Sequence, residues 1–412
     1  MSFNNDFNNN NFNNFNNDFS IKKKPRELLK FNISEYIIEK YINFGHLGHY
    51  HFCHKKKSEI IKFIKIFKKS TIIKFNKNAR LLEEIEWYLF FSNTNLLPTI
   101  RGITINDPKY LGFLFDFIPG GTLRTLLDRF LTLTLEQAKF YIANLLIILD
   151  YLHKNKFLYR DLTPENILIK ENGYVTLLDF SYAKKFDDNN LYTNTLIGKP
   201  NYIPPEMILN KPYNQSCDFW ALGIILYELL CGVDPFKNDD PIIIYQNILE
   251  EKKTFPKNLD RDAKFLINHL LNINPDKRYG CLKNGINDIK DHRVFNDFNW
   301  EKLENEEIVS PFVPKINNTQ DIYYYSSDKR NKLLFERYDK IKEIKEEERI
   351  EREKEILENK DKKKDKKLEF NTGIDLIDSD TEAINYSEED DIFQKWWWKY
   401  YIINFNYFLI NI

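Results

Sequence analysis

Near the middle of the chain, two carboxylates and an amide fall at intervals that suit a single site. Asp161 and Asn166 lie in Tyr159-Arg160-Asp161-Leu162-Thr163-Pro164-Glu165-Asn166, and Asp179 follows in Asp179-Phe180-Ser181. The spacings, 166−161=5 and 179−161=18, leave room for a loop and then a short hairpin, 167–169 against 174–178, turning at Asn172-Gly173. One carboxylate beside an acceptor hydroxyl, with an amide and a second carboxylate whose hard oxygens suit Mg2+, has the logic of phosphoryl transfer.

Such residues must be held by folded elements on both sides. Residues 50–75 are rich in Ile and Phe with short alternations and read as strands, while 81–91 carries apolar residues at near-helical spacing beside Glu83, Glu84 and Glu86. After Pro119-Gly120-Gly121 come longer segments of helical period, 135–154, 216–231 and 260–271. The expected fold class is α+β: a small strand-rich lobe with one main helix, then a larger, mainly helical lobe.

The flanks differ in character. Residues 1–20 are an Asn/Phe-rich tract too poor in aliphatic side chains to offset its ordering entropy, and are expected to be disordered. Residues 329–392 read as a charged, solvated helix and an acidic linker. Residues 393–412 are aromatic but too short and polar to span a bilayer. They either dock on the folded body or, the less favoured reading, lie in a membrane interface. Lys+Arg 60 against Asp+Glu 61 gives a net charge of -1, which argues against a nucleic-acid partner. Four cysteines with no CxxC pair make neither a disulfide framework nor a structural zinc site. With no signal peptide or spanning segment legible, the expected setting is cytoplasmic, with the nucleus also open.

Tyr159 to Asn166, Asp179-Phe180-Ser181, Pro204-Pro205-Glu206, Asp218 in Ser216-Cys217-Asp218-Phe219-Trp220, and Arg278 fall in an order that resembles the eukaryotic protein kinase family. Further stretches, Asp218-Phe219-Trp220-Ala221-Leu222-Gly223, Pro235-Phe236 and Asp276-Lys277-Arg278-Tyr279-Gly280, are most similar to the AGC group of serine/threonine kinases, its cyclic-AMP-dependent members above all. The resemblance implies a bilobal kinase domain over 36–295, with a small lobe to about 118 and a large lobe from 119, then an AGC-like tail over 296–328. It implies ATP and Mg2+ as cofactors, Asp161 as the catalytic carboxylate, and Asn166 and Asp179 as metal ligands. Lys65 becomes the strand lysine that holds phosphates, with Glu84, 84−65=19 residues later, as its partner; Lys62 competes for that role. Gly45 and Gly48 resemble the glycine-rich loop, with Asn43 in place of its first glycine. Asp116 and Ile118 resemble the hinge that meets adenine, and Phe115 the gatekeeper. Glu165 and Glu228 sit where basophilic members bind substrate arginine, although Thr122 replaces an acidic residue there. Thr195 aligns with the activation-loop phosphosite, and Arg160 is placed to pair with its phosphate.

Some positions depart from that pattern. Tyr50 and Phe63 stand where Val and Ala usually pack on adenine, and such enlargement is expected to fill the pocket. Thr163 stands where a catalytic-loop Lys is usual and Lys199 where a Thr is usual, a reciprocal exchange in which the Lys199 ammonium is expected to restore the lost charge. Ser181 replaces a glycine. The cluster His46, His49, His51, Cys53 and His54 coincides with the glycine-rich loop and its strands, and a metal site there is the weaker reading. The resemblance thus implies a serine/threonine kinase acting on protein substrates near basic residues, with a regulatory subunit as a further partner. The alternative is a pseudokinase that keeps the fold and serves as a binding or scaffold protein.

Overall fold

Alternating Ile, Phe and Tyr with Lys and His builds a six-stranded sheet: β1 (Leu29–Phe31), β2 (Tyr36–Phe44), β3 (His49–Lys55), β4 (Ile61–Lys68), β5 (Ile100–Thr104) and β6 (Tyr110–Asp116). The strand order is β1-β5-β6-β4-β3-β2. The computed structural model describes residues 28–44, 48–75, 77–104, 107–186, 191–315 and 323–325. The chain divides into two units, Met1–Ser327 and Asp328–Ile412, and every described residue belongs to the first. Residues 1–20, Gly45 and His46 of the glycine-rich loop, and the segments 329–392 and 393–412 lie outside the described residues.

Register decides which side chains share a face. β3 and β4 pair antiparallel with Tyr50 opposite Lys65 and Phe52 opposite Phe63, and β6 sets Phe115 opposite Phe63. Since side chains alternate along a strand, Lys65 and Phe63 project to one face together with Tyr50 and Phe52. The sheet also reaches further towards the N-terminus than residue 36, because β1 pairs in parallel with β5, Leu29 opposite Gly102.

The strand reading of 50–75 overruns. β4 stops at Lys68 and α1 (Lys69–Lys74) follows, because the apolar alternation is broken at Lys68-Lys69-Ser70 and Ile72 is the residue that this short helix buries. α2 (Asn78–Phe90) starts three residues before the expected Leu81 and carries Glu84 inward to complete burial.

In the larger lobe, α3 (Leu123–Phe130) is capped by Thr122, and α4 (Leu135–Lys154) by Thr134 with Gln137, a reciprocal capping box. A short pair, β7 (Phe157–Leu158) and β10 (Lys184–Lys185), and the hairpin of β8 (Ile167–Ile169) with β9 (Val175–Leu177) bracket the catalytic segment. α5 (Pro205–Ile208), α6 (Ser216–Cys231), α7 (Pro241–Leu249) and α8 (Arg261–Leu270) follow. α4 and α6 have the bounds that periodicity predicts, and α8 has Asp260 as its N-cap. α6 is buried on nearly all sides and ends at Gly232, whose φ of 75° is the left-handed conformation glycine adopts without cost. Arg278, fully buried, donates to both oxygens of Glu206 at 2.6 and 2.9 Å, pinning α5 to the core. Among the described residues, no helix is long and apolar enough to cross a membrane.

Candidate active site

The loop between β7 and β8 is held from below by α6. Asp218 accepts hydrogen bonds from the backbone N–H groups of Tyr159 (3.1 Å) and Arg160 (2.8 Å), and its carboxylate lies 2.8 Å from Nε2 of His153. Arg160 and Asp179 both have φ of 64°, an unfavourable region for residues with a Cβ. Two such residues in one short segment mark where the fold holds the backbone against its preference. Asn166 Nδ2 donates to the Asp161 Oδ2 at 2.6 Å and to its backbone O at 3.0 Å, fixing that carboxylate. Burial pushes the Asp161 carboxyl up to about 8, the neighbouring Asp179 adds to the rise, and Lys199 and Asn166 oppose it.

The register of β4 brings Lys65 to the same place. Its Nζ donates to Glu84 Oε1 (2.6 Å), Asp179 Oδ1 (2.9 Å) and Ser181 Oγ (2.7 Å). Ser181 in turn donates from Oγ to Asp179 Oδ1 at 2.5 Å and from its backbone N to the same oxygen at 2.8 Å. Burial works against the Lys65 charge, but Asp179 and Glu84 outweigh it and the ammonium pKa rises. Two carboxylates and one ammonium leave this buried network short of one positive charge. Lys62, the competing lysine, donates instead to Asp116 at 2.7 Å, so of the two it is Lys65 that meets Glu84 and Asp179. Phe180, fully buried, packs edge-on against Tyr88 of α2 (5.3 Å) and Tyr159 (5.5 Å), tying α2 to the catalytic loop.

The hinge end is built of rings. Phe52, Phe63, Phe117 and Tyr325 close on one another, with Phe63 to Phe117 at 5.5 Å, Phe63 to Tyr325 at 5.7 Å and Phe52 to Tyr325 at 5.1 Å. The Tyr325 hydroxyl donates to the backbone O of Ile118 at 2.5 Å. Tyr50 is wholly buried, its hydroxyl 3.2 Å from that of Tyr88 and its ring 6.3 Å from Phe115. The expected filling by Tyr50 and Phe63 is therefore present, and Tyr325 completes it from the far end of the described chain. Asp116 turns its carboxylate away from this face, to Lys62 and to Arg101 at 2.5 Å.

Comparison with known families matches residues 36–295 to the protein kinase domain. The chain belongs to the protein kinase family. This kinase is 43% identical over 215 residues to the cAMP-dependent protein kinase catalytic subunit of Dictyostelium discoideum, covering 52% of the chain and 33% of that protein. It is 35% identical over 287 residues to the corresponding subunit of Schizosaccharomyces pombe, covering 70% and 55%. To the cAMP-dependent protein kinase type 3 of Saccharomyces cerevisiae it is 35% identical over 291 residues, covering 71% and 72%. The chain thus spans a third and about half of the first two relatives and most of the third. These likenesses make the domain AGC-like, in agreement with its motifs.

The family in general uses ATP and Mg2+, and the phosphate end of this kinase fits both. Among the described residues no three His, Cys, Asp or Glu side chains cluster as a metal site. Asp179 and Asn166 offer one carboxylate and one amide, a set that suits Mg2+ because this ion keeps waters and takes phosphate oxygens for its other positions. The missing positive charge beside Asp179 points the same way. Thr163 lines a small cleft with Asp161 and Lys199, and its buried Oγ1 has no hydrogen-bond partner among the described residues. At the hinge end the Tyr325 hydroxyl takes the Ile118 carbonyl and its ring packs on Phe63, so adenine would have to displace Tyr325 to enter there. Gly48 lies where a Cβ would meet the backbone O of Ile66 at 2.7 Å, so only glycine suits that strand start. Cys53 belongs to an apolar cluster with Phe31, Tyr36, Ile64 and Leu114, and burial raises its thiol to about 12, which makes it a poor metal ligand.

On the substrate side of the kinase, Glu165 and Glu228 are brought together as expected, but with Arg124 of α3 between them. Thr195 is exposed, and its backbone O accepts from the Tyr213 hydroxyl at 2.7 Å. Arg160 donates to that same hydroxyl at 3.2 Å and to the Tyr182 backbone O at 2.7 Å, so the expected phosphosite and its arginine are neighbours through Tyr213. Arg80 of α2, which the motifs do not single out, donates to the backbone O atoms of Ser181 (2.8 Å) and Ala183 and couples α2 to the activation segment. Sequence reading also misses the Ser181 hydroxyl as a network member, Arg124 and Tyr325. Only Ser181 carried a local signal, a polar side chain two residues from Asp179.

Proposed function

We propose that this protein is a serine/threonine protein kinase that moves the γ-phosphoryl group of ATP to hydroxyls of protein substrates. The observation that carries the reading is the convergence of Lys65, Glu84 and Asp179 in one buried network beside the Asn166–Asp161 pair. In the reaction the acceptor Ser or Thr oxygen bonds to the γ-phosphorus as the bond to the β,γ-bridging oxygen breaks, and the hydroxyl proton passes to Asp161. Asn166 holds that carboxylate by Oδ2 for this purpose. Lys65, steadied by Glu84, holds phosphate oxygens. Asp179 and Asn166 would hold Mg2+, which would supply positive charge against the phosphates and against the Asp179 carboxylate, whose own charge helps to raise the Asp161 pKa. Lys199 restores the charge lost at Thr163. Its place in the same cleft as Asp161, and its lowering effect on the Asp161 carboxyl, support this.

The names of the relatives support protein substrates, and a regulatory subunit as a second partner. Four free cysteines, two of them buried, support a reducing cytoplasmic or nuclear setting. The reading is tested by incubating the full chain with labelled ATP, Mg2+ and a mixed Ser/Thr peptide library. Label on Ser or Thr that is lost in Asp179→Asn is the expected result. No label from folded wild type would overturn it.

A further inference from the structure

Arg124 is seated as a substrate side chain would be. Its Nε donates to Glu165 Oε1 at 3.2 Å, and its Nη2 donates to Glu228 Oε1 at 3.0 Å and Oε2 at 3.3 Å. The Tyr202 hydroxyl donates to Glu228 Oε2 at 2.6 Å, and Lys199 Nζ lies 3.1 Å from Glu165 Oε2. Glu228 is nearly buried, with its side chain 6% exposed. Two carboxylates are thus matched by two cations of the same chain. Asp234, the next carboxylate, accepts from Asn201 and from the Phe236 backbone N–H. Burial alone would raise the Glu165 carboxyl, but Lys199 and Arg124 hold it at about 2, so Glu165 stays ionised between its two cations.

A carboxylate pair of this kind holds a guanidinium through charge-assisted bonds. Here α3 supplies the guanidinium, and a substrate arginine would have to displace it and bring a third cation to two carboxylates. Neutral Thr122 at the head of α3 offers no acidic group to compensate. We propose that Arg124 fills the acidic subsite beside Asp161 from within and so sets specificity: this kinase takes Ser/Thr peptides that carry no basic residue at the position facing Glu165 and Glu228. The inference rests on the kinase reading above and deepens it.

The test compares the full wild-type chain with Arg124→Ala and Arg124→Gln. The second variant keeps a hydrogen-bond donor beside buried Glu228 in case the first does not fold. Phosphorylation of a positional Ser/Thr peptide library is measured together with fluorescence anisotropy of two Ala-acceptor peptides, one with arginine and one with citrulline. The variants are expected to gain about tenfold in arginine selection at one position, the equivalent of about 1.4 kcal/mol, and wild type to select arginine by less than about twofold at that same position. Strong arginine selection by wild type at that position, or no gain in a folded variant, would overturn the inference. If wild type labels no peptide, the kinase reading has failed, and anisotropy decides the inference alone. About tenfold tighter binding of the arginine peptide by a variant supports it, and equal binding of the two peptides by every form overturns it.

Discussion

The two ends of the cleft are built on opposite rules. At the phosphate end, polar groups are paired one by one: Lys65 with Glu84 and Asp179, Asn166 with Asp161, and Asp218 with the backbone beneath them. At the hinge end, four rings pack on one another and one hydroxyl, from Tyr325, takes the Ile118 carbonyl. A buried charge has few acceptable partners, so the phosphate end tolerates few substitutions. An apolar space accepts any filling of the right volume, so the hinge end is free to change what fills it. In the proposed reaction the phosphate end carries the chemistry and the hinge end sets access to it.

Four substitutions break or sharpen this contrast. The largest effect is expected from Lys65→Met, which leaves Glu84 and Asp179 buried without their cation. Thermal or denaturant unfolding should show a loss of about 3–5 kcal/mol, with phosphotransfer abolished. A fully stable variant would show that the network is not the anchor of the phosphate end. Tyr325→Ala should lower the KM for ATP by about tenfold, because adenine no longer competes with a hydroxyl for the Ile118 carbonyl. A raised KM in steady-state assays would mean that Tyr325 lines the nucleotide space, making the two ends alike. Lys199→Ala should reduce kcat about tenfold, less than a buried electrostatic group would, since Lys199 is half exposed and screened. An unchanged kcat would remove Lys199 from the chemistry. The smallest effect belongs to Ser181→Gly, which takes one hydroxyl from the network but leaves the Lys65 pairs to Glu84 and Asp179. Its kcat should stay within about threefold of wild type.

What was legible in the sequence follows the same division. α4 and α6 have the bounds their apolar period predicts, because each buries a continuous face and is stopped by clear signals, Thr134 before α4 and Gly232 after α6. Asp161, Asn166 and Asp179 were readable as charged or amide groups at fixed intervals along one short segment, whereas Lys65 and Glu84 came only through the family resemblance. Arg124 and Tyr325 were not, since their partners lie far along the chain, 104 residues away for Glu228 and 207 for Ile118, and neither stands in a local pattern. The strand reading runs over α1 because a short apolar run does not by itself distinguish strand from helix, and the break at Lys68-Lys69-Ser70 is decided by packing of Ile72.

The central claim is that Asp161, fixed by Asn166, receives the proton of a protein hydroxyl while phosphoryl transfer takes place. The most direct measurement is single-turnover phosphotransfer from labelled ATP and Mg2+ to Ser/Thr peptides by the full wild-type chain and by Asp161→Ala. The account predicts label in the wild type and a rate lower by about 10²–10⁴ in the variant, with both proteins equally folded. Equal rates in the two, or no transfer by folded wild type, would contradict it.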